Sequence, residues 1–128
     1  MRGMNRVTLV GNAGKDPDTK VLGAGIAVAK VSLATTDLYR LKDGSTRSDT
    51  QWHTVVFWRG LAELVGKYLR KGSRVLIEGR VCYRKYEDKA GGMRYITEIV
   101  ADKMLLLDRR VQDTAESVGG VEIEDLPF

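Results

Sequence analysis

The alternation of apolar and polar residues predicts a chain made mostly of β-strands. One segment has helical periodicity instead, because apolar side chains recur at Leu61, Leu64, Val65 and Tyr68. Strands are predicted over residues 5–10, 27–35, 51–60, 74–83 and 95–107, with pairing resumed over residues 19–22 after a turn. For residues 95–107 the pattern predicts a strand but does not show which side chains face the core. The predicted order is therefore three strands, a helix and two further strands.

This order is that of the OB-fold, an all-β, five-stranded Greek-key barrel with one short helix between its third and fourth strands. A chain of 128 residues is long enough for one such domain with its own core. We assign residues 1–110 to this domain and residues 111–128 to a short, flexible acidic tail. An OB-fold alone does not establish a function, so the surface residues decide which function is expected.

The third strand carries two tryptophans on one face. Side chains alternate along a strand, so Trp52 and Trp58 point the same way, whereas Val55 and Phe57 point to the other side and can fill the core. Exposed indoles followed by a cation, here Arg59, are typical of a surface on which nucleic-acid bases stack. The alternative is that both tryptophans are ordinary barrel or interface residues.

Two basic hairpins accompany this strand in the predicted barrel. A polar turn at residues 42–45 and a glycine pair at residues 91–92 mark their tips. The candidates for base stacking are Tyr39, Trp52, Trp58 and Tyr86. The candidates for contacts with a phosphate backbone are the cations Arg40, Lys42, Arg47, Arg59, Lys71, Arg84 and Lys85. An aromatic and basic surface of this extent favours a nucleic-acid partner.

Charge is distributed unevenly along the chain. Residues 1–110 contain all 21 lysines and arginines and 12 acids, a net charge of +9, while residues 111–128 contain five acids and no base. A positive body predicts a polyanionic partner. No apolar run approaches the roughly 20 residues that span a bilayer, and the N-terminal residues lack the apolar stretch of a secretion signal. We therefore expect an intracellular, cytoplasmic protein with no membrane partner.

Neither a metal centre nor an enzyme site is predicted. The single cysteine, Cys82, cannot form an intrachain disulfide and, beside the single histidine, His53, supplies no ligand set for zinc. We expect Cys82 to be a small buried apolar residue and His53 to be a packed or intersubunit residue. No nucleophile or acid–base pair accompanies His53. The sequence therefore predicts no catalytic residue, no metal, no cofactor and no enzymatic activity.

Several runs of residues match a known family. They lie at residues 5–12, 16–17, 52–56, 61–63, 68–73, 77–79 and 84–86, and so cover essentially the whole domain. In these runs the chain resembles the bacterial single-stranded DNA-binding protein family. The resemblance implies a nucleoid-associated homotetramer that binds single-stranded DNA without sequence specificity. Its base-stacking positions fall on Tyr39, Trp52, Trp58 and Tyr86, where family members often carry Trp at the first and last and Phe at the third.

The C-terminal residues extend this resemblance. Residues 122–128 resemble the acidic tip through which family members bind replication, recombination and repair proteins. The aromatic ring of Phe128 suits an apolar pocket, and its carboxylate and the preceding acids suit a basic rim. We assign partner docking to Glu124, Asp125, Leu126, Pro127 and Phe128. Family members commonly have tens of linker residues before the tip, but here only residues 111–121 separate it from the domain.

Two other functions are compatible with the sequence. An OB-fold module that binds RNA or takes part in translation would be equally basic and aromatic. A structural or adaptor protein would instead use the tryptophan face as a protein interface. Matched DNA and RNA oligomers separate the first alternative from DNA binding. Tryptophan fluorescence that responds to oligomerisation but ignores nucleic acid would identify the second.

Overall fold

The computed structural model describes residues 2–107 as six strands and one helix. The strands are β1 Val7–Ala13, β2 Asp18–Val21, β3 Ala27–Arg40, β4 Thr46–Trp58, β5 Arg74–Glu87 and β6 Met93–Leu106, and the helix α1 Gly60–Tyr68 lies between β4 and β5. The predicted acidic tail and its docking residues Glu124 to Phe128 lie outside the described residues. Among residues 2–107, no helix has both the length and the apolar character needed to cross a membrane.

The strands form a closed barrel. They lie in the order β1-β5-β6-β4-β3-β2, and the end of β1 pairs with β3 through Asn12 and Ala34 to close the sheet. Along β3, the partners of β2, residues 27–30, are separated by only two residues from the partners of β1, Leu33 and Ala34, so β1 and β2 act as one bent strand. Counted in this way, the five-stranded barrel with one short helix that the sequence predicts is confirmed.

The core fills the inside of the barrel with aliphatic side chains around Phe57. Phe57, Val55 and Leu33 are fully buried, as the alternation along the strands predicts. The helix closes one end of the barrel by adding buried residues such as Val65 to the same cluster. Each large apolar side chain removed from water in this way contributes about 1.5 to 3 kcal/mol. The same strands that build the core thus hold their outward side chains in fixed positions.

Both hairpins are longer paired ribbons than the sequence predicts. The segment 36–50, which separates the predicted strands over residues 27–35 and 51–60, continues β3 and β4 with an unbroken register from Thr36, opposite Thr50, to Arg40, opposite Thr46. The Oγ1 atoms of Thr36 and Thr50 share a 3.0 Å hydrogen bond across this ribbon. Beyond the barrel both faces of this hairpin are exposed to water, so its sequence has no alternation of apolar and polar residues although its backbone pairing continues. The strand ends therefore could not be predicted from hydrophobic periodicity.

A β-bulge in β6 determines which of its side chains reach the core. Glu78 lies opposite Lys103 but Gly79 lies opposite Ala101, so Asp102 is an extra residue on β6. The residues of β6 in the core cluster are therefore Ile99 and Ala101 before the bulge and Leu106 after it, which has the opposite parity. A single alternation cannot describe this strand, which explains why the sequence pattern assigned it no core face.

Candidate nucleic-acid interface

The outward face of the barrel sheet carries three of the four predicted aromatic residues. Trp52 and Trp58 both lie on the outer side of β4, opposite Ala34 and Val28 of β3. Tyr86 lies on the same side of the sheet, on β5. All three side chains are exposed, and Trp52 retains 63% of its surface. We call this surface the aromatic face, defined by Trp52, Trp58 and Tyr86.

The alternation along β5 explains how Tyr86 comes to lie on this face. Cys82 and Arg84 line one groove together with Trp58. Tyr86 is separated from these two residues by even steps along β5, and the pairing of β5 with β6 has no further register shift beyond the bulge. The aromatic face therefore runs from Trp52 at one end to Tyr86 on the projecting β5–β6 ribbon.

A groove of about 450 Å³ lies beside Trp58 on the aromatic face. Its apolar part includes Val28, Val56 and Val100, with the indole of Trp58 at its edge. Its cations are Lys20, Lys30 and Arg84. An apolar and aromatic surface suits the flat faces of bases, while flanking cations suit phosphates. The groove therefore has the chemistry of a single-strand binding surface.

Glu98 organises the cations of this groove. Its side chain is 5% exposed, and its carboxylate accepts hydrogen bonds from Arg84 Nε at 2.8 Å and Arg84 Nη2 at 3.0 Å. Lys30 Nζ lies 3.4 Å from its Oε2 atom. The hydrogen bonds from Arg84 lower the pKa of the Glu98 carboxyl, outweighing the opposite effect of burial, and the same bonds raise the pKa of the Arg84 guanidinium. Two cations and one anion leave the cluster with a net positive charge.

The Glu98 cluster makes stability depend on pH. We expect Glu98→Gln to lower the free energy of unfolding by about 1 to 2 kcal/mol at neutral pH, because the charge-assisted hydrogen bonds are lost while Arg84 and Lys30 stay half exposed to water. Folding lowers the pKa of Glu98 below its ordinary value of 4.5. The stabilisation is therefore present above that value and is lost as the pH falls through the folded-state pKa. Urea unfolding from about pH 7 to about pH 3 measures the difference between the two proteins.

Glu78→Gln is the matched control for this prediction. Glu78 accepts a 3.1 Å hydrogen bond from Arg6, but both side chains are more exposed than Glu98. Its loss is expected to cost less than about 1 kcal/mol. A stability difference between Glu98→Gln and the parent protein that did not narrow in acid would contradict the assignment.

Tyr39 and Lys85 do not join the aromatic face. Tyr39 lies opposite Arg47, an odd number of residues from the Ala34 position that faces Trp52, so it lies on the other side of the β3–β4 ribbon. Lys85 lies on the other side of β5 from Arg84, with its Nζ 5.9 Å from the ring centroid of Tyr95. Both residues are exposed. They would contact a nucleic-acid strand only where that strand passes around the β3–β4 and β5–β6 hairpins.

The remaining predicted cations are exposed, but not all lie on the side of the aromatic face: Arg40 is an even number of residues from Ala34 and shares the side of Trp52, whereas Arg47, opposite Tyr39, lies on the other side. Arg40 ends β3, Lys42 lies in the turn that follows, and Arg47 lies on β4. Arg59 directly follows Trp58 and has a φ of 58°, a left-handed conformation that favours glycine. Its N–H donates to the Ala27 carbonyl at 2.8 Å, which holds this unusual backbone in place.

Lys71 is held close to the Trp52 end of the face. Its N–H donates to Asp16 Oδ1 at 2.8 Å. The next residue, Gly72, donates its N–H to the Ala13 carbonyl at 2.8 Å. The loop that carries Lys71 is therefore fixed to the end of β1, beside Gly14.

The sequence prediction missed four charged residues of the groove, Asp18, Lys20, Lys30 and Glu98. The available signal was a lone charge inside an apolar strand, as in the run from Ala29 to Val31. Only the pairing of strands shows that Lys30 lies opposite Val56 and that Glu98 lies opposite Cys82.

The expectation of a buried Cys82 is wrong. Its thiol-bearing side chain is partly exposed in the groove, because even positions of β5 at this point face outward. His53 is packed as expected, with its Nε2 hydrogen-bonded to Thr35 Oγ1 at 2.9 Å. In the part of the chain that the structure describes, no three potential ligands come together to hold a metal ion.

Comparison with known proteins establishes the family. The model of the single-strand binding protein family matches residues 4–107. The chain belongs to this family. The family is described by single-strand binding and not by a reaction, in agreement with the prediction that the chain is not an enzyme.

Curated proteins similar to this chain have descriptions that match this family. The chain is 50% identical over 109 residues to the single-stranded DNA-binding protein of Xanthomonas axonopodis pv. citri, covering 85% of this chain and 61% of that protein. It is equally identical over 109 residues to the protein of the same description from Xylella fastidiosa, covering 85% of this chain and 66% of that protein. The chain thus spans under two thirds of the length of these relatives.

A solved single-strand binding protein has the same fold. The structure described as Plasmodium falciparum SSB complex with ssDNA is 34% identical, with a TM-score of 0.75, and the match covers 84% of this chain and 98% of that one. The OB-fold assignment therefore rests on an experimental structure as well as on the strand order.

Proposed function

We propose that this protein binds single-stranded DNA without sequence specificity and protects it. The observation that carries the proposal is the aromatic face, on which Trp52, Trp58 and Tyr86 are exposed, with a groove at Trp58 that is also lined by Lys30 and Arg84. The solved relative with the same fold is described as a complex with ssDNA. Curated relatives at 50% identity are described as single-stranded DNA-binding proteins.

The binding mechanism follows from the chemistry of this face. Every base has a π-surface, so stacking on an indole or phenol stabilises binding by about 1 to 3 kcal/mol per base without reading sequence. Lys30 and Arg84 beside Trp58 neutralise phosphates and release counterions. Paired bases of a duplex cannot stack on protein rings without being separated. The face therefore selects single strands over duplex DNA.

The proposal is tested by titrating tryptophan fluorescence with oligo-dT at several salt concentrations, with duplex DNA and a matched RNA oligomer as competitors. We expect saturable quenching that duplex DNA does not relieve. The logarithm of the affinity should fall with the logarithm of salt concentration at a slope of roughly 0.7 per phosphate contact. Equal competition by duplex would overturn the proposal. Tighter binding of RNA would favour an RNA-binding module, and absence of quenching would favour an adaptor protein.

The chain is proposed to form a homotetramer. The edge of β1 that faces away from β5 pairs with β3 only at Asn12 and Ala13. Within residues 2–107, the preceding part of that edge has no strand partner. An open strand edge is a template for pairing with a second copy of the chain. Sedimentation equilibrium measures the assembled mass.

Partner recruitment is proposed for the tip residues Glu124 to Phe128, on the strength of their sequence alone. Deleting residues 125–128 is expected to abolish binding of purified replication and repair proteins, measured by surface plasmon resonance. DNA affinity should stay equal or rise slightly, because acids that compete with DNA for the basic surface are removed. Asp113→Asn, which removes one acid outside the tip, is the control. Weaker DNA binding after the deletion would contradict a protein-docking role.

A further inference from the structure

Gly14 and Trp52 are in unusually close contact. A Cβ added at Gly14 would lie 2.5 Å from Cζ3 and 2.8 Å from Cη2 of the Trp52 indole. These atoms belong to the six-membered ring, which therefore lies directly against the Gly14 backbone. The φ angle of Gly14 is not positive, so its backbone conformation does not itself demand glycine. The indole is what excludes a side chain at this position.

Neither backbone can move away to relieve a clash. Gly14 donates its N–H to the Ser32 carbonyl at 2.8 Å, and the preceding Ala13 donates to the Ser73 carbonyl at 2.9 Å. Trp52 is paired with Ala34 in the continuous β3–β4 register. A methyl group at position 14 would therefore displace the indole rather than the chain.

We propose that Gly14 is a positioning residue that seats the Trp52 indole in its DNA-binding orientation. The inference rests on the proposed function, because it assigns to Trp52 a ring that stacks on bases. Trp52 remains 63% exposed, so the contact with Gly14 restrains the ring while leaving surface for a base. Ordering a mobile side chain on binding costs affinity, and a ring already restrained in the free protein avoids that cost.

Gly14→Ala tests this proposal, in a Trp58→Phe background that leaves Trp52 as the single tryptophan. Relative to that background, we expect affinity for oligo-dT to fall about three- to tenfold, through lost pre-orientation of the ring. The emission and acrylamide quenching of Trp52 should change in the free protein. The salt dependence of binding should stay the same, because no cation is lost.

Gly23→Ala is the matched control. Gly23 also lacks a positive φ, and a Cβ there would meet no atom within 4 Å. The control is expected to leave both oligo-dT affinity and Trp52 fluorescence unchanged. A general effect of adding a methyl group to a loop glycine is thereby separated from the effect of displacing the indole.

A double-mutant cycle shows whether the loss of affinity in Gly14→Ala depends on the Trp52 indole. In a Trp52→Ala protein, Gly14→Ala should have no further effect on affinity, measured with labelled oligo-dT. An equal loss with and without the indole would overturn the proposal, as would an unchanged Trp52 spectrum in the free Gly14→Ala protein. That spectrum is recorded without DNA, so it tests whether Gly14 positions the Trp52 indole even if the protein does not bind single-stranded DNA.

Trp52→Phe provides the rescue. Phenylalanine has one ring instead of two and so lacks the outer, benzene ring of the indole, which is the part that lies against Gly14. The Gly14→Ala, Trp52→Phe double variant should therefore fold and bind like Trp52→Phe alone, even where Gly14→Ala by itself destabilises the protein. Failure of this rescue would overturn the proposal.

Discussion

Replacing Trp52 and Trp58 together by alanine is expected to weaken binding of single-stranded DNA by at least about thirtyfold, because each stacked ring contributes about 1 to 3 kcal/mol. The two residues lie on the same side of β4, six positions apart, which corresponds to about 20 Å along the strand. Rings this far apart contact different bases, so their losses should add. Each single substitution should accordingly weaken binding about five- to 150-fold.

Affinity is measured by anisotropy of a labelled oligo-dT, since the double variant has no tryptophan to report binding. Tyr83→Ala is the matched control, because Tyr83 is 76% exposed but lies on the opposite side of β5 from Tyr86. Its loss should leave affinity within about twofold, the range expected for a surface substitution. Phenylalanine at positions 52 and 58 should retain most of the affinity. If Tyr83→Ala weakened binding as much as Trp52→Ala, the aromatic face would not be the preferred path of the strand.

The alternation along one strand was enough to predict the centre of the candidate site. Period two puts Trp52 and Trp58 on one side and Val55 and Phe57 on the other, and a mixed strand of this kind has only one apolar side to bury. The structure confirms this division, since Val55 and Phe57 are fully buried and both tryptophans are exposed. The identity of the residues thus determined both the core and the outward aromatic pair.

The groove chemistry depends on register, which local pattern does not encode. Lys30, Glu98 and Arg84 are distant in sequence and meet only because β3, β4, β6 and β5 are neighbours in the sheet. The sequence predicts that all four aromatic residues share one surface. Tyr39, however, is an odd number of residues from Ala34, the partner of Trp52, and therefore lies on the other side of the β3–β4 hairpin. The bulge at Asp102 similarly changes the parity of β6. Its signal in the sequence is Gly79, a glycine inside a strand pattern, but that residue lies on the partner strand β5 and so does not show which residue of β6 is extra.

The bulge region is also a place where a single added methyl group should strongly lower stability. A Cβ at Gly79 would lie 2.1 Å from the carbonyl oxygen of Val100 and 2.9 Å from its carbon. Both are backbone atoms of the paired strand, so a change of rotamer cannot relieve the clash. We expect Gly79→Ala to lower the free energy of unfolding by about 3 kcal/mol or more, at the upper end of the cost of overpacking. Urea unfolding at matched protein concentration measures the effect, since an oligomer's stability depends on concentration.

Gly66→Ala distinguishes this clash from the intrinsic effect of replacing glycine. Gly66 lies within α1, where an added Cβ would make an ordinary 3.4 Å contact with Thr19. Alanine is favoured over glycine in a helix by about 0.8 to 1 kcal/mol, so this variant should be more stable than the parent protein. Glycine also weakens strand interiors, so propensity alone predicts stabilisation at both sites. Opposite signs at positions 79 and 66 would show that the close approach of β5 and β6 requires Gly79, whereas stabilisation at both would refute the proposed clash.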